Sequence, residues 1–176
     1  PEVEMQRLEG RCAEDVAKAR ERPRPCPRLL FTVATGALLQ ITNRGSAPRR
    51  LSLTSYVEWT LGSQREHTRH QLHTRHDAPT GALFAQNFYA PDFTDRLAFS
   101  WISEPCTSYT ARRDHFIGRN GDLKSPLGMR HDRLSGAVGA GHDPCAALRC
   151  ALTLDPGETH TVVILLGASC SGGGGR

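Results

Sequence analysis

The chain has 176 residues, of which 38% are hydrophobic and 23% charged, with a net charge of +4. That length supports one domain with a sizeable core, and a basic excess of 22 over 18 spread along the chain lacks the concentrated stripe of a nucleic-acid binder. No apolar run approaches the ~20 residues of a spanning helix, and no signal-peptide core opens the sequence, so a cytoplasmic location is expected.

Residues 1–28 carry seven basic and six acidic side chains and close on Pro23-Arg24-Pro25-Cys26-Pro27. Met5, Leu8, Cys12 and Val16 fall near one helical face. This segment is expected to be a short, narrow amphipathic helix or a disordered leader, ended by the prolines.

Residues 29–167 read as strands. Leu51, Leu53, Val57, Trp59 and Leu61 alternate with Ser52, Thr54, Glu58 and Thr60, a period of two that turns one face to a core and one to solvent. Leu97, Phe99 and Trp101 repeat it, as do Val162, Ile164 and Leu166, within an unbroken apolar run that suits a buried strand. Turn clusters separate these runs: Asn43-Arg44-Gly45-Ser46, Asp77 to Gly81, Ala90-Pro91-Asp92 and Asp155-Pro156-Gly157. The expectation is an all-β domain, an antiparallel sandwich or barrel with Trp59 and Trp101 in its core. Residues 168–176, rich in Ser and Gly, are expected to form a flexible tail.

Chemistry-bearing residues crowd into Arg112-Arg113-Asp114-His115-Phe116-Ile117-Gly118-Arg119-Asn120-Gly121-Asp122. Arginine forks and carboxylates suit sugar hydroxyls or an oxyanion; the alternative is a hairpin with a type I′ turn at Asn120-Gly121 and solvated charges. Gly136 to Asp143 contains Gly-x-x-Gly-x-Gly without the βαβ surroundings of a dinucleotide site, and reads as a close-packed loop.

His67, His70, His73 and His76 recur every third residue, a spacing that gathers no tetrahedral site on one strand or helix. The six cysteines contain no Cys-x-x-Cys pair and read as small buried thiols rather than a zinc site. No Gly-x-Ser-x-Gly elbow is present. The acid pairs Asp92 with Asp95 and Asp114 with Asp122 have no readable separation. No metal site and no catalytic residue is assigned.

Five ordered motifs carry a resemblance. Arg49 to Gly62, Gly81-Ala82-Leu83-Phe84-Ala85-Gln86-Asn87, Arg113 to Gly121, Gly139 to Leu148, and the closing Leu154 to Thr159 with Val163 to Gly167 resemble the cellobiose and chitobiose phosphorylase family. This was formerly glycosyltransferase family 36, and the match is to its cyclic β-1,2-glucan synthase branch. The resemblance covers about Leu38 to Gly167.

It implies a galactose-mutarotase-like β-sandwich, incomplete here because the family places further strands where residues 1–28 stand. It also implies an (α/α) barrel carrying the catalytic acid after Gly167, so no turnover is expected from this chain alone. In the family enzyme inorganic phosphate is the nucleophile; no cofactor is expected here. The implied partners are a β-glucan oligosaccharide, the catalytic barrel and a second copy in a homodimer, with no nucleic acid. The implied location extends to the cytoplasmic face of the inner membrane for a larger membrane-bound synthase. Arg113, Asp114, Arg119, Asn120 and Asp143 are the candidates for sugar contacts or for organising the loop. A dimerisation module without glycan affinity and a histidine-rich metal domain are the rival readings.

Overall fold

The computed structural model describes residues 3–8 and 31–170. Nine strands account for most of them: β1 (Val3–Leu8), β2 (Phe31–Asn43), β3 (Arg49–Glu58), β4 (Leu72–Asp77), β5 (Ala82–Asn87), β6 (Arg96–Ile102), β7 (Cys106–Arg112), β8 (Pro144–Leu154) and β9 (Thr159–Cys170). Two single-turn helices, α1 (Arg65–Thr68) and α2 (Arg113–Phe116), follow β3 and β7. The strands form a six-stranded sheet in the order β1-β2-β9-β6-β5-β4 and a three-stranded sheet in the order β3-β8-β7. Every pairing is antiparallel, as expected of a sandwich.

The turns are built by the residues that mark them in the sequence. Asn43 is fully buried; its amide donates to the carbonyls of Ala47 and Leu154 while its Oδ1 accepts from the Gly45 N–H. Asp77 accepts from both the backbone N–H and the hydroxyl of Thr80, the Asx-type bonding that tightens such turns.

Between the sheets lies the main core, with Ile41, Trp59, Leu61, Leu72, Leu83, Ile102, Leu148 and Val162. Trp59 and Leu61 belong to it although β3 ends before them. The alternation in β6 and β9, however, does not separate core from solvent. Phe99, Trp101, Val163 and Leu165 form a second buried cluster with Leu38 and Phe84, on the opposite face of the large sheet from Val162 and Ile102. β9 and β6 lie at the centre of six strands, so both of their faces are covered and an unbroken apolar run is the stable solution. The Trp101 indole donates to the Thr80 carbonyl at 3.0 Å, which satisfies the one polar atom of that side chain.

The small sheet is also covered on both faces. Ala146, Leu148 and Cys150 of β8 face the large sheet, while Cys145 and Ala147 meet Phe116, Ile117 and Leu134. The excursion between β7 and β8, residues 113–143, therefore forms a third layer.

At the N-terminus the helical expectation fails. Val3–Leu8 is a strand paired along β2 from Asn43 to Leu38. β2 without a neighbour on that side would present a row of unpaired backbone groups, and Val3 and Met5 alternate with Glu4 and Gln6 as well as they fit a helix. Tertiary pairing decides between the two. The rest of the expected leader, 9–28, lies outside the described residues. Of the expected tail, 168–176, the first three residues are instead the end of β9, held by pairing with β6, and those from 171 onward lie outside the described residues.

Candidate functional site

The end of β3 and the start of β8 are cross-strand neighbours, with Glu58 opposite Cys145. Arg65 opens α1 and Arg113 opens α2, and both side chains converge on this corner. Arg113 Nε donates to Glu58 Oε1 at 2.8 Å and lies 4.0 Å from Asp143 Oδ2. Arg65 Nε lies 3.3 Å from Glu58 Oε2, and its Nη2 donates to Asp143 Oδ1. The Arg113 N–H also donates to the Asp143 carbonyl at 2.9 Å. Two guanidinium groups thus alternate with two carboxylates, all four partly shielded from water.

Tyr56 extends the network inward. Its hydroxyl donates to Glu58 Oε1 at 2.7 Å, and its ring stacks on Phe116 with centroids 4.6 Å apart. Burial, reinforced by the bond to the Glu58 carboxylate, raises the Tyr56 phenol and keeps it protonated. Burial alone would raise the Glu58 carboxyl, but hydrogen bonds from Tyr56 and Arg113 with the charge of Arg65 outweigh it and hold Glu58 below its ordinary value. The four charges balance, so the cluster holds the β3 end, α1, α2 and the β8 start in one arrangement.

Of the sequence candidates, Arg113 and Asp143 meet here. Asp114 turns the other way, accepting from Arg112 Nε at 3.1 Å and Nη2 at 2.6 Å; that fork holds its carboxyl below the usual range. Arg119 and Asn120 stand exposed on the excursion and are not members of the four-charge cluster. A type I′ hairpin does not form there. That turn needs positive φ at both central residues, whereas Asn120 and Gly121 are not among the positive-φ residues. Instead α2 is followed by Gly118 at φ +96°, with the Gly121 N–H returning to the Gly118 carbonyl.

Sequence reading alone did not single out Glu58, Arg65 or Tyr56. Glu58 counts there as one more polar residue on an alternating strand, and Arg65 is one arginine among twenty. Their weight comes from the β3–β8 register.

The histidines are dispersed. His67, His70 and His73 are exposed, while His76 stacks on Tyr109 at 3.8 Å, where burial lowers its pKa. Among the described residues no group of three or more His, Cys, Asp or Glu side chains is placed to hold a metal ion.

With two stacked antiparallel sheets and this corner in place, comparison with known proteins is decisive. The family model for the glycosyl hydrolase 94 supersandwich domain matches residues 34–173. The chain belongs to that family. This supersandwich domain is 35% identical over 130 residues to the cyclic beta-(1,2)-glucan synthase NdvB of Rhizobium meliloti, covering 73% of this chain and 5% of that protein. It is 26% identical to the N,N'-diacetylchitobiose phosphorylase of Vibrio furnissii, over 77% of this chain and 17% of that enzyme. To the 3-O-beta-D-glucopyranosyl-beta-D-glucuronide phosphorylase of Paenibacillus borealis it is 25% identical, over 74% of this chain and 18% of the relative. The supersandwich domain therefore spans less than a fifth of each of these relatives.

Proposed function

We propose that this supersandwich domain contacts β-glucan oligosaccharide and supports a catalytic domain, without turning over substrate itself. The observation that carries the reading is the balanced Arg65–Glu58–Arg113–Asp143 cluster, which anchors the base of the excursion, on which Arg119 and Asn120 stand exposed. Arg113, Asp114 and Asp143 organise the loop in this reading, and Arg119 and Asn120 supply donors to sugar hydroxyls. Leu123, Leu127 and Met129 are exposed on the same excursion. The match to sugar-active relatives supports the substrate class.

A two-dimensional amide NMR titration of the labelled chain with linear β-1,2-glucan oligosaccharides tests it. Shifts centred on residues 113–121, weakened by Arg119→Ala in a chain that keeps its peak dispersion, support the glycan reading. Dispersed peaks that ignore the sugar leave a structural module, and concentration-dependent association would then mark it as a dimerisation surface.

A further inference from the structure

A concavity lies where β4, β7 and the later part of the excursion meet. It measures about 450 Å³ and is lined by His76 of β4, Ser108 and Tyr109 of β7, and Arg133, Ser135 and Gly136 of the loop. Among the described residues lining it there is no carboxylate. Asp77, the acid beside His76 in sequence, is engaged with Thr80.

Its polar groups are weighted towards donors. Arg133 uses one N–H on the Thr107 carbonyl at 3.1 Å, which leaves most of its five-donor fork. The Ser108 oxygen accepts from the Leu134 N–H at 3.1 Å, and its hydroxyl proton remains to be donated; that side chain belongs to a residue only 7% exposed. The Ser135 oxygen sits 2.9 Å from both Thr110 Oγ1 and His115 Nδ1, which fixes its position at the wall. His76 Nε2 is shielded from solvent and has no hydrogen-bond partner. A cavity with an arginine fork, a hydroxyl proton to spare on Ser108 and no carboxylate in its lining fits a ligand that only accepts.

We propose that this cavity binds a small oxyanion, with the Arg133 guanidinium as its charged contact and the Ser108 hydroxyl as a neutral donor. Free phosphate and the charged group of an acidic or phosphorylated sugar present the same acceptors, and the volume admits either. The site shares no charged residue with the four-charge cluster and does not depend on the glycan reading.

The test titrates the labelled full chain with sodium phosphate, sodium glucuronate and glucose at constant ionic strength. Saturable shifts at Ser108 and Arg133–Gly136 with phosphate are expected, absent with chloride or glucose; glucuronate binding tighter than phosphate would identify an acidic sugar as the preferred source. Arg133→Ala should weaken binding by on the order of tenfold. Because Arg133 is exposed and makes one bond, to the Thr107 carbonyl near the start of β7, the variant is expected to fold. Should it not, Arg133→Lys, which keeps the charge and loses the fork, takes its place and should bind more weakly than the parent. No saturable shift into the tens of millimolar, or full affinity in the arginine variants, overturns the proposal.

Discussion

Gly139 and Thr74 exchange both of their backbone hydrogen bonds, at 2.8 and 3.0 Å, and the Thr74 hydroxyl donates to the same Gly139 carbonyl. Thr74 lies on β4, the edge of the six-stranded sheet, while Gly136 and Ala137, a few residues before Gly139, bond to Tyr109 and Ala111 of β7, the edge of the other sheet. The glycine-rich loop therefore sews one edge of each sheet together, which pairs backbone groups that β4 and β7 would otherwise expose.

Gly139 sits at φ +122° with its nearest would-be neighbour 4.0 Å away, so a side chain there meets space but not a permitted backbone. Gly139→Ala should destabilise the domain by about 1–3 kcal/mol through strain alone. Urea unfolding would show a lower midpoint at unchanged slope. An unchanged midpoint would mean that the seam re-forms without the left-handed residue.

Arg149 is 5% exposed, yet its guanidinium meets no carboxylate in the bonds it makes: it donates to the carbonyls of Gly128 and His131 and to Thr54 Oγ1. Substitution by Met keeps the bulk and strands two carbonyls. Arg149→Met should cost about 2–4 kcal/mol and accelerate amide exchange across 127–134 first, measured by hydrogen–deuterium exchange.

Glu58 titrates below its ordinary value because Tyr56, Arg113 and Arg65 outweigh burial. A depressed carboxylate contributes stability that is present above its unfolded-state pKa and is lost as pH falls through the folded-state one. Urea midpoints followed downward from neutral pH should therefore fall less steeply below about pH 4.5 in Glu58→Gln than in the parent, in the range where carboxylates titrate. Parallel acid limbs would exclude Glu58 from the acid response.

Burial pushes the Cys150 thiol up to about 12 and raises Cys145 as well, whereas Cys106 is only half-buried. Thiolate is the reactive species. Brief alkylation of the native chain, read by peptide mass mapping, should modify Cys106 before Cys145 and Cys150, which should react only after denaturant is added. Equal labelling would show both the inter-sheet core around Cys150 and the excursion packed over Cys145 opening on that timescale.

Much of the frame was legible because period-two alternation and turn chemistry are local signals: β3, β6, β9 and the turns at Asn43 and Asp77 stand where they are expected, as do the buried tryptophans. What escaped the sequence depends on distant chain segments meeting. Arg149 reads as an outward polar residue of β8 until the excursion folds over it. Glu58 gains its role from Arg65 and Arg113, which different helical turns deliver. The Val3–Leu8 strand exists only because β2 offers it an edge. Among the candidate residues, the chemistry around Arg113 and Asp143 was visible as composition, but the division into paired residues at the base and exposed ones at 119–120 was not.

The pairing of β2 with β9 sets the order in which this domain can be built. It joins positions as far apart as Leu38 and Val163 at the middle of the large sheet, so β2 leaves the ribosome long before the strand that completes it. Until β9 arrives, β2 has β1 on one side and an open edge on the other. Long-range closures of this kind fold slowly and leave intermediates prone to association. The yield of this chain should therefore respond to translation rate and to chaperones that shelter strand edges more than to any single core substitution.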